Sequence, residues 1–281
     1  MLIFKKIQDL QKHLQSADNK PLTQGFVPTM GALHAGHLSL ISKSKTSCRL
    51  TVCSIFVNPT QFNDKTDFDK YPNTIDSDIV MLSQAGCDVL FLPSVKEMYP
   101  QGLIDTTPVD FGYMAQTLEG EHRPGHFGGM AQVVERLLRI VKPDKLYMGQ
   151  KDYQQQLIVS QLIKKRRLNT QLVMSPTERE KDGLAMSSRN VRLDAKARAL
   201  SVELSKTLKT AKREIRNTKY EVNAIAQRGA ENLKSIPGID LEYFEIRNAE
   251  TLKPVTNKKE KMVALVAAKI GGVRLIDNMV I

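Results

Sequence analysis

Two histidines, His34 and His37, are the residues whose types and spacing point most directly to chemistry. They close the stretch Pro28-Thr29-Met30-Gly31-Ala32-Leu33-His34-Ala35-Gly36-His37, which lies between an apolar run typical of a strand and leucines at helical spacing. A helix that begins directly after a strand presents backbone N–H groups and the positive end of its dipole, and both favour phosphate. Neutral imidazoles at such a turn can donate to phosphate oxygens and stabilise charge on a leaving pyrophosphate. The turn therefore predicts nucleotide chemistry.

Two further segments carry groups suited to a triphosphate. The loop Met186-Ser187-Ser188-Arg189 follows a flexible Asp-Gly pair, and its guanidinium can bind phosphate oxygens in a bidentate way within a mobile clamp. The stretch Gly149-Gln150-Lys151-Asp152 follows a predicted strand, with Lys151 placed for phosphate and Asp152 placed to cap the next helix. Such short patterns are common in surface turns, so they gain weight only together with the histidine turn.

Neutral side chains near these segments are candidates for holding a small substrate. The amides of Asn58, Gln61 and Gln155 can hydrogen-bond hydroxyl and carboxylate groups. Three more side chains could approach the same pocket, although a Pro-Gly turn explains two of them equally well. They are Tyr71, Arg123 and His126.

Alternating strands and helices must position these groups. Short apolar segments predict strands at 25–28, 50–57, 88–92, 145–148 and 170–174, and helical periodicity predicts helices near 36–46, 72–86, 127–142 and 153–167. This alternation predicts an α/β, Rossmann-like parallel sheet with helices on both faces. Ligands bind at the carboxyl ends of strands in such folds, and three of the polar loops follow predicted strands.

The pattern changes after Ser175-Pro176. The sequence then predicts long amphipathic helices at about 194–216 and 220–235, followed by strands at 241–247, 262–268 and 273–277. We therefore expect a Rossmann-like domain over residues 1–175 and a smaller C-terminal α+β lid domain over 176–281, which carries the Met186–Arg189 loop.

Composition excludes several classes of protein. The chain of 281 residues is 41% apolar and 25% charged, as in ordinary globular proteins. Its longest apolar run, 262–268, is far below the roughly 18 residues that span a bilayer. The first residues lack an apolar stretch of signal-peptide length, and three cysteines without a C-x-x-C pair argue against disulfides and a four-ligand zinc site. We expect a cytoplasmic protein with reduced thiols.

The net charge of +11 and the run Lys164-Lys165-Arg166-Arg167 raise the question of nucleic-acid binding. Cations are favoured in the last turn of a helix, and aromatic residues for stacking bases are not interleaved with this run. A positive field also attracts ATP and an anionic substrate. We therefore expect small-molecule partners and neither nucleic acid nor membrane.

Several motifs in one order resemble the pantothenate synthetase (pantoate–β-alanine ligase) family. This family belongs to the nucleotidylyltransferase superfamily and shares the His-x-Gly-His turn and a KMSKS-like loop with class I aminoacyl-tRNA synthetases. The resemblance covers essentially the whole chain. Besides the histidine turn it rests on Ser54-Ile55-Phe56-Val57-Asn58-Pro59-x-Gln61-Phe62, Tyr71-Pro72, Glu119-Gly120, Arg123-Pro124-Gly125-His126-Phe127, Lys151-Asp152-Tyr153-Gln154-Gln155, Asp182-Gly183-Leu184-Ala185-Met186-Ser187-Ser188-Arg189-Asn190 and Arg274-Leu275-Ile276-Asp277-Asn278.

The resemblance implies a two-step ligase reaction. ATP and (R)-pantoate would give pantoyl adenylate and pyrophosphate, and the amine of β-alanine would then attack the acyl carbon, releasing AMP and pantothenate. His37, His34, Lys151 and Arg189 would be catalytic, with His37 the proton donor. The residues expected at ATP are Met30, Gly31, His34, Gly36, His37, Gly149, Lys151, Asp152, Met186, Ser187, Ser188 and Arg189. Those expected at pantoate are Gln61, Gln155, Asn58 and Tyr71.

Further expectations come from the family alone. The protein would be a homodimer, and Mg²⁺ would bridge phosphate oxygens with few protein ligands, Asp78 being only a possible neighbour of the metal. The chain departs from the family pattern at Thr60, where Met is frequent, and at Glu178, where an apolar residue meets adenine through its backbone.

Two other functions remain open. Another nucleotidylyltransferase of this fold would act on a phosphopantetheine or nicotinamide nucleotide, but the loops 57–62 and 151–155 argue against it. An RNA-binding or tRNA-charging protein would use the positive charge directly, and the lack of an evident anticodon-binding domain and of stacking aromatic residues argues against that.

Overall fold

The computed structural model describes residues 1–16, 22–62, 68–102, 108–217 and 221–281. Its contacts divide the chain into two compact units. One comprises Met1–Gly149 and Gln155–Pro176, and the other comprises Gln150–Gln154 and Thr177–Ile281. The short segment that contains Lys151 is thus grouped with the second unit, although it lies far from the rest of that unit in the sequence.

The first unit contains a six-stranded parallel sheet, as the alternating pattern predicts. Its strands are β1 (Leu2–Phe4), β2 (Gln24–Thr29), β3 (Leu50–Ile55), β4 (Val89–Phe91), β5 (Lys145–Gly149) and β6 (Gln171–Ser175). They are ordered β1-β4-β3-β2-β5-β6, and every neighbouring pair is parallel. All six residues of β3 are buried, which explains its uninterrupted apolar and small side chains.

Helices connect these strands. They are α1 (Ile7–Leu14), α2 (Ala35–Ser47), α3 (Ile75–Gln84), α4 (Val95–Met98), α5 (Glu119–His122), α6 (His126–Val141) and α7 (Tyr153–Lys165). Short 3-10 turns occur at Pro59–Gln61, Gly112–Ala115 and Gln150–Asp152. None of the described helices is both long enough and apolar enough to cross a membrane.

The observed elements correct the sequence prediction at a few points. Strand β1 and helix α1 were not predicted, because three residues are too few to show periodicity and the helix is only eight residues long. The strand predicted over 50–57 ends at Ile55, and the helix predicted over 72–86 begins at Ile75 after Thr74, its N-cap residue. The four-residue helices α4 and α5 were not predicted either, and the other predicted ends of the first unit agree within two residues.

Two details of the first unit bear on the sequence arguments. All three cysteines are free and buried, and burial raises the pKa of the Cys87 thiol to about 11.

In the basic run at the end of α7, Arg166 donates to the buried carboxylate of Glu135 at 2.9 Å. This arginine therefore stabilises the fold in addition to contributing to the positive field.

The second unit is α+β, as predicted. Helices α8 (Ala195–Asn217) and α9 (Val222–Lys234) accompany an antiparallel sheet of β7 (Ile239–Asn248), β8 (Met262–Ile270) and β9 (Val273–Val280), with β8 in the centre. Buried side chains from all five elements form one core. Residue 220, where the sequence predicted the second helix to begin, lies outside the described residues.

Candidate active site

The histidine turn joins β2 to α2, and each histidine accepts a backbone hydrogen bond at its Nδ1 atom. His34 is the N-cap of α2, and its Nδ1 accepts the N–H of Gly36 at 3.1 Å. The Nδ1 of His37 accepts the N–H of His34 at 3.3 Å. The two rings are close, with centroids 4.1 Å apart and planes tilted by 43°. Side chain and backbone thus cap the helix in a reciprocal way.

These contacts define the tautomer of both histidines. A nitrogen that accepts an N–H cannot carry a proton itself, so the proton of each neutral ring lies on Nε2. Both Nε2 atoms are therefore hydrogen-bond donors. Two such donors at the start of a helix suit an anion with several oxygens, such as a phosphate chain.

Asp78, on α3, holds the preceding part of the turn. Its carboxylate is fully buried and accepts the N–H groups of Ala32 and Leu33, both at 2.9 Å, and the hydroxyl of Thr74 at 3.1 Å. Gly31 has φ +76°, and a Cβ there would lie 3.0 Å from a carboxylate oxygen of Asp78. The position therefore favours glycine for both conformation and space.

One expectation about this turn was wrong. The sequence argument assumed that backbone N–H groups of the turn would face a bound phosphate. Instead the N–H of Gly31 donates to the Thr29 hydroxyl, and the next three N–H groups and that of Gly36 have the side-chain acceptors described above. These five N–H groups are thus already paired, which leaves the two imidazole Nε2 atoms as the side-chain donors of the turn.

The loop after β3 is organised around the side chain of Asn58, which is 1% exposed. Its Oδ1 accepts the hydroxyl of Tyr99 at 2.9 Å, and its Nδ2 donates to the carbonyl of Gly129 at 3.2 Å and to Thr60 Oγ1 at 3.0 Å. Thr60, where the family often has Met, thus supplies a polar contact within the loop. These contacts favour Asn58 as an organiser of the loop, and direct contact with a substrate stays a prediction.

Helix α6 packs directly against this loop. A Cβ at Gly129 would overlap the carbonyl oxygen of Thr60, so only glycine allows this approach. The buried ring of His126 lies with Nδ1 2.8 Å from the carbonyl oxygen of Gln61 and Nε2 3.2 Å from Nη1 of Arg123. A carbonyl cannot donate and a guanidinium cannot accept, so His126 is neutral here with its proton on Nδ1.

The amide of Gln61 extends from this loop to the histidine turn, where its Nε2 contacts Sδ of Met30. A residue expected at pantoate and one expected at ATP are therefore neighbours. Met30 also lines a cavity of about 520 Å³, together with Gly31, Tyr71 and Asp78, whereas Gln61 is not part of that lining. The ring of Tyr71 packs edge-on against Phe62, at 5.7 Å between centroids. The first unit contains Met30, Gly31, His34, Gly36, His37, Asn58, Gln61 and Tyr71, and of these Met30, Gly31 and Tyr71 line the cavity.

Gly149 and Gln155 also belong to the first unit. Gly149 ends β5, and its carbonyl accepts the side-chain amide of the buried Gln156. Gln155 lies, half-buried, in the first turn of α7. Each stands directly beside the segment that the contacts group with the second unit.

The remaining predicted site residues belong to the second unit. Lys151 and Asp152 form a 3-10 turn that directly precedes α7. Ser187 caps another 3-10 turn, Ser188–Arg192, by accepting the N–H of Arg189 at 3.3 Å. The side chains of Met186, Ser187, Ser188 and Arg189 are all half-buried. The two segments are therefore structured, and both lie in turns where side chains can meet a ligand.

The hairpin before this loop is well anchored. The N–H of Met186 donates to the carbonyl of Glu178 at 3.0 Å. The backbone carbonyl of Glu178, where the sequence departs from the family pattern, is therefore hydrogen-bonded within the hairpin. A hydrogen bond from Arg198, at 2.7 Å, lowers the pKa of Asp182. In the part of the chain that the structure describes, no group of three or more His, Cys, Asp or Glu side chains could hold a metal ion.

Sequence reasoning named three further residues without predicting the contacts that they make. Asp78 was considered only as a neighbour of a metal, whereas its oxygens hold the histidine turn. The positions of His126 and Arg123 against the Gln61 carbonyl were left undecided. No local pattern signals these contacts, although a histidine beside an arginine in a loop before a helix was a usable hint.

Comparisons with known proteins show the family of the chain. Residues 2–280 match the Pantoate-beta-alanine ligase family. The pantothenate synthetase of Cytophaga hutchinsonii is 44% identical over 286 residues, which cover 100% of this chain and 99% of that protein. The pantothenate synthetase of Porphyromonas gingivalis is 42% identical, with 99% of each chain covered.

Solved structures give the same answer. The crystal structure of pantothenate synthetase from Thermus thermophilus superposes with a TM-score of 0.92 at 38% identity, covering 99% of each chain. The pantoate-beta-alanine ligase of Francisella tularensis, complexed with Beta-gamma ATP and Beta-alanine, gives a TM-score of 0.82 at 37% identity, covering 100% of this chain and 97% of that one. This chain is thus a member of the pantoate–beta-alanine ligase family.

Proposed function

We propose that the protein condenses (R)-pantoate with β-alanine, using ATP, to give pantothenate, AMP and pyrophosphate through a pantoyl-adenylate intermediate. The observation that carries this proposal is the pair of histidines that cap α2 with their Nδ1 atoms and keep both Nε2 atoms as donors. Gln61, whose amide contacts Met30 beside this turn, supports it further. Family membership supplies the identity of the substrates.

In the first step a carboxylate oxygen of pantoate attacks the α-phosphorus of ATP, and the bond to pyrophosphate breaks. Negative charge moves onto the leaving pyrophosphate. The Nε2–H groups of His34 and His37 donate to phosphate oxygens and stabilise this charge, and His37 is the proposed proton donor. Because the rings are fixed through Nδ1, they need little reorientation during the reaction.

The amides of Gln61 and Gln155 hold the carboxylate and hydroxyl groups of pantoate, with Asn58 and Tyr71 as weaker candidates for the same role. The short distance between Gln61 and Met30 favours an acyl group placed next to the nucleotide. In the second step the free amine of β-alanine attacks the acyl carbon, and AMP leaves. The adenylate already carries a good leaving group, so the step requires no nucleophilic side chain.

For the second unit we propose a role in binding the triphosphate and covering the reaction as a lid. Lys151 supplies a point charge, Arg189 a planar guanidinium that binds two oxygens, and Ser187 and Ser188 hydroxyl donors. The nucleotide contacts are completed by Met186, Asp152, Gly31, Gly36 and Gly149.

Mg²⁺ enters this proposal as the ion bound to the phosphates of ATP, where it offsets their charge. It needs few protein ligands in that arrangement, because phosphate oxygens and water complete its shell. The oxygens of Asp78 are already used by the histidine turn, so we assign no side chain to the ion. Two expectations complete the proposal: a homodimer, which rests on the family alone, and a cytoplasmic location, which rests on the sequence.

The test is exchange of labelled pyrophosphate into ATP, measured with magnesium, with and without pantoate, and without β-alanine. We expect exchange only when pantoate is present, because the first step is then reversible and the second is blocked. Folded protein that binds ATP but gives no exchange, even with a trace of β-alanine, would contradict the proposal. The substrates of other nucleotidylyltransferases would then be tried in the same assay.

A further inference from the structure

The stretch Arg274-Leu275-Ile276-Asp277-Asn278 is shared with the family pattern, yet the reaction described above gives it no task. It lies in β9 of the second unit. Asp277 is 4% exposed and Asn278 is 1% exposed, although both side chains are polar. Burial of adjacent polar groups is costly unless both are fully hydrogen-bonded, so their contacts are informative.

Asn278 holds the segment that carries Lys151. Its Nδ2 donates to the backbone carbonyls of Gln150, at 3.0 Å, and Lys151, at 2.8 Å. Its Oδ1 accepts the side-chain amide of Gln150 at 3.1 Å. One side chain therefore contacts the backbone of Lys151 and both the backbone and side chain of the preceding residue.

Asp277 holds the hairpin that precedes Ser187 and Arg189. Its two oxygens accept Nη1 and Nη2 of Arg179, at 2.7 and 2.9 Å, in a bidentate ion pair. The same guanidinium donates to the carbonyls of Gly183, at 3.0 Å, and Asn278, at 3.3 Å. Such a pair is directional as well as strong, so it sets the orientation of the hairpin.

Successive side chains of a strand point to opposite faces, so two adjacent residues can hold two different segments. Here they hold the two segments of the second unit to which we assign phosphate contacts. We propose, resting on the function proposed above, that Asp277 and Asn278 are positioning residues that set the separation between Lys151 and the Ser187–Arg189 turn. Both cations then meet the phosphates of one ATP molecule.

Positioning of this kind has a measurable signature. If Asn278 acts on ATP only through Lys151, its removal has an effect only while the Lys151 side chain is present. A residue that merely stabilises the fold has the same effect whether or not Lys151 is there. The two cases are therefore separated by a double-mutant cycle.

The experiment measures the dissociation constant of MgATP by calorimetry, and the rate of pantoate-dependent exchange, for wild type, Asn278→Ala, Lys151→Ala and the double variant. We expect Asn278→Ala to weaken ATP binding and to slow exchange by about tenfold or more in the wild-type background, since a misplacement of about 1 Å can slow a reaction by about 100-fold. In the Lys151→Ala background we expect Asn278→Ala to change ATP binding and the exchange rate by less than about threefold. Equal factors in both backgrounds, or no effect in either, would overturn the proposal.

A second double-mutant cycle, with Asp277→Asn and Arg189→Ala, tests the proposal that Asp277 positions the Ser187–Arg189 turn. Glu242→Gln is the matched control. Glu242, in β7, accepts a hydrogen bond at 2.9 Å from Arg274, which lies in β9 like Asp277, so the substitution also removes one charge from an ion pair to this strand. We expect Asp277→Asn, and not the control, to be non-additive with Arg189→Ala. If Asp277→Asn does not fold, the Asn278 cycle still decides the matter.

Failure of the proposed function gives a different result. Wild-type protein that binds MgATP without pantoate-dependent exchange contradicts the function, whereas the cycle in ATP binding still reports on Asn278. Wild-type exchange together with additive effects contradicts only the positioning proposal.

Discussion

The Nδ1 atom of His37 accepts the backbone N–H of His34 at 3.3 Å, which links the capping of α2 to the protonation of the ring. One nitrogen stabilises the helix start, and the other is left as the donor. The two roles use different atoms of one side chain, so different amide substitutions can separate them.

His37→Asn places an amide oxygen near the position of Nδ1 and removes the Nε2 donor. We expect it to keep the cap and the melting temperature while slowing pyrophosphate exchange by about 100-fold, the usual effect of losing one donor to developing charge. His37→Gln places an amide N–H near Nε2, so it should retain more activity and lose about 1 kcal/mol of stability from the cap. Full activity of the asparagine variant would exclude a role for Nε2.

Asp78→Ala should destabilise the first unit and disturb the histidine turn. The change leaves the buried N–H of Leu33 and the part-buried N–H of Ala32 without their acceptor, and the loss of an acceptor for a buried N–H costs about 1–3 kcal/mol. Chemical unfolding measures the loss, and Asp76→Ala, an exposed carboxylate in the same first turn of α3, is the control. We expect the magnesium dependence of exchange to stay the same, and a marked change in it would indicate a metal ligand instead.

His126→Ala should raise the KM for pantoate by about fivefold, since the hydrogen bond to the Gln61 carbonyl is worth about 1 kcal/mol. His126→Asn keeps a donor near Nδ1 and should recover most of the affinity. His122→Ala, at the end of α5 and exposed, serves as the control. Equal effects of the alanine and asparagine variants would show that the ring acts through packing alone.

Glu260→Gln should destabilise the second unit in a way that depends on pH. Hydrogen bonds from Asn248, at 2.6 Å, and from the side chain and backbone of Thr256 lower the pKa of Glu260 from 4.5 to about 2. Because the folded pKa lies below the unfolded one, the contribution is fully present above about pH 4.5 and is lost as pH falls towards 2. Melting temperatures of wild type and variant should therefore converge between pH 5 and about pH 3.

The control for this experiment is Glu250→Gln, which removes an exposed carboxylate from the same connection between β7 and β8. We expect its difference from wild type to be small and similar at both pH values. A difference in melting temperature between wild type and Glu260→Gln that stays constant with pH would contradict the assignment of these hydrogen bonds to the ionised carboxylate.

Much of the fold follows from local patterns. The helix predicted over 194–216 is observed at Ala195–Asn217, and the strand predicted over 25–28 at Gln24–Thr29, since long periodic segments and apolar runs encode their own geometry. Predicting the histidine turn needed only its position between a strand and a helix.

The contacts that hold the site were beyond such reasoning. Asp78 contacts the turn 45 residues earlier, and Asn278 contacts a segment 127 residues earlier. Contacts between residues so distant in sequence depend on how the whole chain packs, and no local periodicity contains that information. The same holds for the tautomers of His34, His37 and His126, which follow from hydrogen-bond partners rather than from residue type.

The division of the chain also bears on how such proteins diverge. Because Gln150–Gln154 is grouped with Thr177–Ile281, the chain passes between the two units at three places. Recombination between related genes at a single crossover near residue 176 would combine the Lys151 segment of one parent with the Asn278 of the other. We therefore expect these positions to be inherited together, and functional chimaeras to require parents that agree at both.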